Sequence, residues 1–259
     1  MGGVARRATM IKRIRAEADT VFLLLDAGNT LFDQPLALQS EGRVVVEAMN
    51  AMGYDAMAVG MLDLAKGVEV LRQRAAEARF PILSANLVSK TDGKPILAPY
   101  VVIRRHGLRY GILGVTDPDA ANAPGVRQVA DVLDPVETVR KLLPELRSQS
   151  DVVIVLSRLG LGEDRMLARA VPGIDIIVGG KTHDLLPVPE VVGKAIITQM
   201  GYDGKWLGRL DTYLDAESQL SKPGVEIIGL TPDVPDDPEL VALVASWQQR
   251  FPQPTPANP

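Results

Sequence analysis

Apolar residues recur along the chain in two alternating rhythms. Val4, Ala8, Ile11 and Ile14 fall at helical spacing and predict an amphipathic helix at the start. A continuous apolar run at residues 21–25 predicts a buried strand, and it feeds the polar loop Asp26-Ala27-Gly28-Asn29-Thr30. Helical patterns over 43–52 and 64–78 alternate with strand-like runs at 55–59 and 81–85. Residues 100–105 and 108–115 pair as a hairpin around His106-Gly107, which leaves His106 a turn residue. Asp134 followed by proline opens a helix over 135–147, since an aspartate N-cap and a proline in the first turn both suit a helix start. Strand 151–156, helix 163–170 and strand 174–178 continue the alternation. Three strand-like stretches follow in succession, at 195–199, 205–213 and 225–230. Asp237-Pro238 then opens a last amphipathic helix running to Trp247.

Buried strands alternating with helices, then a run of strands, predict an α/β sandwich. No internal repeat has a fixed period. The simplest division is one domain over 1–250 and a proline-rich tail or linker remnant over 251–259.

Composition narrows the function classes. The 259 residues are 46% hydrophobic and 23% charged, with a net charge of −4. No basic stripe with interleaved aromatics is present, which argues against a nucleic-acid partner. No apolar run reaches the roughly 20 residues of a membrane span. The absence of cysteine excludes disulfides, thiolate metal sites and cysteine nucleophiles. Only two histidines, His106 and His183, are available, so a centre built on several imidazoles cannot be assembled. The start carries Arg6, Arg7, Lys12, Arg13 and Arg15 without an acid, as a targeting peptide would. No apolar core or cleavage-like site follows, and the helical spacing favours a structural helix.

Polar loops at 26–30, 60–63, 157–162, 179–184 and 201–204 follow the strands, where α/β proteins place their sites. Their text is specific. Residues 2–9 (GGVARRAT) resemble the "GG-x-A-R-R-A" helix of bacterial 5'-nucleotidases, and 25–30 (LDAGNT) resemble their "DAGD-T" loop. Residues 45–60 (VVEAMNAMGYDAMAVG) are similar to the segment that leads into "GNHE", and 80–86 (FPILSAN) to the following strand. Residues 153–164 (VIVLSRLGLGED) resemble the "SHLG" segment, 174–186 (IDIIVGGKTHDLL) the "GGHSH" segment, and 199–210 (QMGYDGKWLGRL) the "QAGYDGKYLGRL" strand. These likenesses are collinear from residue 2 to about residue 214.

The resemblance implies a four-layer α/β/β/α sandwich of the metallophosphoesterase type. It also implies two divalent metals, manganese, zinc or related ions, that activate water and clamp a phosphoryl group. An upstream first strand with an Asp-x-His pair and a downstream substrate domain belong to the same pattern, and the expected fold lacks both. Relatives of this kind are exported to the periplasm or cell surface.

The site positions depart from that pattern. The bridging aspartate of "GD" is Asn29. The asparagine and histidine of "GNHE" are Met61 and Leu62. The histidine of "SHLG" is Arg158, and the first histidine of "GHSH" is Lys181, leaving only His183. Two fixed cations, an amide and two apolar side chains repel a pair of dications rather than bind them. No metal cofactor is therefore expected; Asn29 is a vestigial ligand candidate, and His183 is either a vestigial ligand or, with no partner imidazole, a polar residue in a turn. Arg158 and Lys181 have two readings: they neutralise nearby carboxylates such as Asp26 or Asp63 or project into solvent, or they replace the metals' charge and, with His183, attract a phosphate or other small anion. Met61 and Leu62 are expected to fill core, because an emptied pocket must be packed.

The expectation is a degenerate 5'-nucleotidase-like protein acting as a scaffold, an anion-binding module or a protein-partner subunit. The alternative is a phosphomonoester hydrolase with a reduced manganese or zinc centre completed by residues upstream.

Overall fold

The computed structural model describes residues 2–17, 21–215 and 220–252. Most of the expected tail, from residue 253 onward, lies outside the described residues.

Two sheets lie face to face between two helix layers. The first sheet is parallel, in the order Leu25–Asp26, Ala56–Ala58, Ile82–Leu83. The second has six strands in the order Glu190–Val192, Ala195–Gln199, Ile176–Gly179, Val152–Ser157, Leu108–Val115, Tyr100–Arg105. Helices Val4–Glu17, Arg43–Met52, Gly67–Glu77 and Pro238–Arg250 cover the first sheet, and Pro135–Ser148 and Leu161–Ala170 cover the second. A separate antiparallel pair, Trp206–Leu214 with Leu220–Gly229, follows.

Period-two alternation explains why each strand reads as a continuous apolar run: both of its faces are buried. Val153 and Val155 point to the outer helices, whereas Val152, Ile154 and Leu156 point between the sheets. Met57 and Val59 pack under the other helix layer, and Ala56 and Ala58 face the second sheet. These are the four layers implied by the sequence resemblance.

Several elements differ from the pattern reading, among them the short helices Pro35–Gln39 and Val126–Val129 and the edge strand Glu190–Val192, which it does not contain. Of residues 21–25 and their loop, only Leu25–Asp26 forms ladder, against a single parallel neighbour. The helix expected over 64–78 is split into a 3₁₀ turn, Met61–Leu64, and the helix Gly67–Glu77. Gly67 has φ +83°, a left-handed conformation that no continuing α-helix admits. The small pair Leu87–Ser89 with Ala130–Val132 was too short to be recognised.

The registers position the site. Val115, Ser157, Gly179 and Gln199 lie side by side across four parallel strands. The loops after these strands therefore leave one edge of the sheet together. His106, at φ +47°, occupies the hairpin turn.

The last helix is tied to the first at its N-terminus. The Asp237 carboxylate accepts from the Glu239 and Leu240 N–H groups and from Lys12 Nζ at 2.7 Å. Replacing Asp237→Ala removes the cap and leaves Lys12 without this partner. Unfolding stability should fall by about 1–2 kcal/mol, read as a lower urea midpoint at unchanged m-value.

Candidate functional site

One carboxylate organises the first half of the cleft. Asp63 is 0% exposed and accepts four backbone N–H groups: Asn29 at 2.7 Å and Thr30, Leu31 and Gly60 at 2.8 Å. Burial pushes its carboxyl up to about 6, against those donors, which pull it down. The loop before them turns on Asp26, whose Oδ1 accepts from Gly28 N–H and the Thr30 hydroxyl, both at 2.8 Å.

Asn29 adopts φ +64°, a left-handed conformation that asparagine tolerates better than most side chains. Its Oδ1 accepts from Leu62 N–H at 2.9 Å and lies so close to Gly60 that a Cβ at 60 would collide with it. The amide oxygen is therefore committed to the backbone. Met61 and Leu62 do not fill core: they are 37% and 38% exposed. The 3₁₀ turn sets this arrangement, burying Asp63 and Leu64 and turning the two preceding side chains outward.

Arg158 closes the cleft. It is only 6% exposed, and its Nη1 donates to the carbonyls of Gly28, at 3.4 Å, and Gly180. It thereby ties the 26–30 loop of one sheet to the 179–184 loop of the other. A Cβ on Gly180 would come within 2.7 Å of Nη1, so the approach depends on that glycine. Arg158 forms no ion pair among the described residues. Burial lowers its pKa, and the fields of Asp63, Asp26, Asp117 and Asp164 work against that. It does not neutralise Asp26 or Asp63 by contact.

Lys181 does pair with carboxylates, at 3.1 Å to Asp117 and 2.9 Å to Asp119. Burial disfavours its charge, but the two aspartates more than offset this and raise its pKa. His183 is exposed, sits at φ +63° and packs its ring 5.3 Å from that of Tyr202. The turn carrying it is held by Gln199, whose amide, oriented to suit its neighbours, accepts from the His183 and Asp184 N–H groups at 2.8 and 2.7 Å. Behind Arg158, Asp164 is fully buried and bonded to the Ser157 hydroxyl through Oδ1, while Oδ2 has no partner. Burial raises the Asp164 carboxyl to about 7.

Comparison with known proteins agrees with this architecture. No family model matches the chain. A snake venom 5'-nucleotidase from Gloydius brevicauda is 32% identical over 267 residues, 94% of this chain and 45% of the relative. The crystal structure of a 5'-nucleotidase precursor from Thermus thermophilus superposes with a TM-score of 0.88 at 31% identity, covering 96% of this chain and 53% of that one. The sulfate thiohydrolase SoxB of a Thermus species gives 0.90 at 25% identity, with 96% and 47% covered. The chain belongs with the N-terminal domain of the 5'-nucleotidase-type metallophosphoesterases. It spans about half the length of the relatives it matches.

Measured against a metallophosphoesterase centre, the residues present do not fit two dications. Asn29 offers an oxygen already bonded to backbone, Met61 and Leu62 offer no hard donor, Arg158 brings a buried positive charge, and His183 stacks on Tyr202. Among the described residues, no group of three or more His, Cys, Asp or Glu side chains is placed to hold a metal ion. No described helix is long and apolar enough to cross a membrane.

The structure places Asn29, Met61, Leu62, Arg158 and Lys181 on adjoining loops, with partners that the sequence did not indicate. Asp117 and Asp119, which hold Lys181, lie far upstream, Asp119 by 62 residues. Their only local signal is the Asp-Pro step that caps the 3₁₀ turn Pro118–Asn122. Asp164 and Gln199 lay within the family-like segments yet carried no motif role.

Two outcomes test this geometry. Asp63→Ala should cost about 3 kcal/mol or more, since four backbone donors lose their acceptor, measured by chemical denaturation. Asp164 makes the opposite demand on pH from an ordinary carboxylate. Its folded pKa is raised, so its stabilising contribution is complete below about pH 4, the unfolded value, and is lost as pH rises through about 7. The wild type should therefore lose stability relative to Asp164→Asn between pH 5 and pH 8, as read from paired denaturation curves.

Proposed function

We propose that this protein is a metallophosphoesterase-fold scaffold or anion-binding module that does not carry out two-metal phosphoester hydrolysis. The observation that carries this reading is Arg158. A buried guanidinium bonds carbonyls of both loops at the position where the resembling motif has a histidine. Such a cation cannot ligate a metal and repels one nearby. Exposed Met61 and Leu62 add a non-coordinating rim.

Kinship to 5'-nucleotidases at 30–32% identity favours a second reading, a phosphomonoester hydrolase with a reduced manganese or zinc centre. Such a centre would have to release Asn29 Oδ1 from Leu62 and His183 from Tyr202. A protein partner fits the scaffold reading equally. An exported or cell-surface location is proposed from kinship, one relative being a venom protein.

Elemental analysis separates the two readings. Protein dialysed against manganese or zinc and then desalted should retain almost no metal, and should not release phosphate from nucleoside monophosphates. The Arg158→His, Lys181→His double variant is the comparison that restores imidazoles. One or two metals per wild-type chain, with phosphatase activity, would establish the hydrolase instead.

A further inference from the structure

A cavity of about 400 Å³ opens between the start of the helix Gly67–Glu77 and the small strand pair Leu87–Ser89 with Ala130–Val132. None of the cleft residues Asn29, Arg158, Lys181 and His183 lines it. Val68 and Ile96, buried members of the core beneath the first helix layer, lie at its base, and Val129, 49% exposed, lies at its mouth. These side chains leave a concave apolar surface that water wets only at a cost. The space is real on the glycine side as well: a Cβ built on Gly125, which lines the cavity, would meet no atom within 4 Å. The volume falls in the range of ordinary small-molecule sites, which pair apolar walls with a few polar groups.

The charged groups that line this cavity are Lys66, Arg72 and Glu69. The Lys66 ammonium makes no ion pair or hydrogen bond with any described residue. Arg72 reaches only Glu69, at 3.9 Å, and the two side chains are 47% and 74% exposed, so that pair is weak and leaves the guanidinium available. Two cations against one carboxylate give the lining a net positive charge. We propose that this cavity binds a small amphiphilic anion, a monocarboxylate with a short apolar body. The body lies against Val68, Ile96 and Val129, and the carboxylate meets Lys66 and the fork of Arg72, which accommodates two oxygens of one group. Charge selects a monoanion, because Glu69 opposes a second negative charge. The apolar base selects against an anion with no hydrocarbon part. This inference goes beyond the scaffold reading and does not rest on it.

The test uses the full chain, freed of metal by chelation and desalting, with sodium hexanoate as probe. Sodium acetate and 1-hexanol are the controls, one carrying only the charged head and the other only the apolar body. The readout is the set of backbone amide resonances of Gly67, Ser89 and Gly125, which line the cavity, in a nitrogen–proton NMR spectrum. They should move saturably with hexanoate at a Kd of about 1 mM, and acetate and hexanol should each bind at least about tenfold more weakly. Lys66→Gln and Arg72→Gln, both at exposed positions, should each raise the hexanoate Kd about threefold. Val129→Asp, which sets a carboxylate at the mouth, should abolish saturation. Wild-type resonances that fail to saturate by about 20 mM hexanoate, that follow acetate or hexanol equally, or that move only outside the cavity overturn the site, whatever the variants do. Metal content and phosphatase activity report on the scaffold reading separately, and neither decides the hexanoate result.

Discussion

The whole cleft depends on one dry carboxylate. Asp63 is fully buried and has no cationic partner within ion-pair distance among the described residues, so backbone dipoles alone satisfy it. Four N–H groups converge on it from two chain segments, residues 29–31 and Gly60. Removing that acceptor would orphan four donors at once, a far larger penalty than the loss of one surface bond. The convergence forces the left-handed conformation at Asn29 and the close approach of Gly60 to its amide. It also fixes the Gly28 carbonyl to which Arg158 bonds.

From that anchor the rest of the site follows as a series of cross-ties. Arg158 reaches from the end of Val152–Ser157 to the Gly28 and Gly180 carbonyls, so the two sheets are joined by a side chain at the edge where both present loops. Lys181 extends the join to Asp117 and Asp119, at the end of the neighbouring strand Leu108–Val115. Gln199, one strand further across, pins the turn containing His183. Three ties thus link four adjacent parallel strands. A metal pair could join such loops through ligands; here ammonium, guanidinium and amide groups do so through hydrogen bonds. These bonds are directional and cannot be exchanged for a substrate oxygen without breaking the tie.

The fold was readable because doubly buried strands leave continuous apolar runs and surface helices leave a 3.6-residue period. Both signals are local. The hairpin around His106 and the helices capped by Asp134 and Asp237 matched to within a few residues. Collinear family-like segments then located the loops at 26–30, 60–63, 157–162 and 179–184, but not the one that carries Asp117 and Asp119. What failed depended on conformation or on distance in sequence. Met61 and Leu62 looked like filling for an emptied pocket, but a 3₁₀ turn has three residues per turn, and it sends them outward while Asp63 goes in. Lys181 does pair with carboxylates, but with Asp117 and Asp119 rather than Asp26 or Asp63, because these partners are adjacent to it only through the pairing of parallel strands. A lone arginine in a loop points to an acid, to solvent or to the place of a metal, whereas the carbonyls that Arg158 bonds are backbone groups with no sequence signature.

The cleft holds a buried guanidinium without a direct ion pair among the described residues. Taking a permanent charge out of water is expensive, and a direct ion pair is the usual compensation. Arg158 has none, yet four carboxylates lie within range of its field without touching it. In a poorly screened interior, charges several ångströms apart still interact appreciably, so a ring of acids can stabilise a cation that none of them contacts. Burial holds the Asp63 and Asp164 carboxyls near 6 and 7, where they gain or lose charge close to neutrality. The negative field around Arg158 therefore weakens as pH falls through that range.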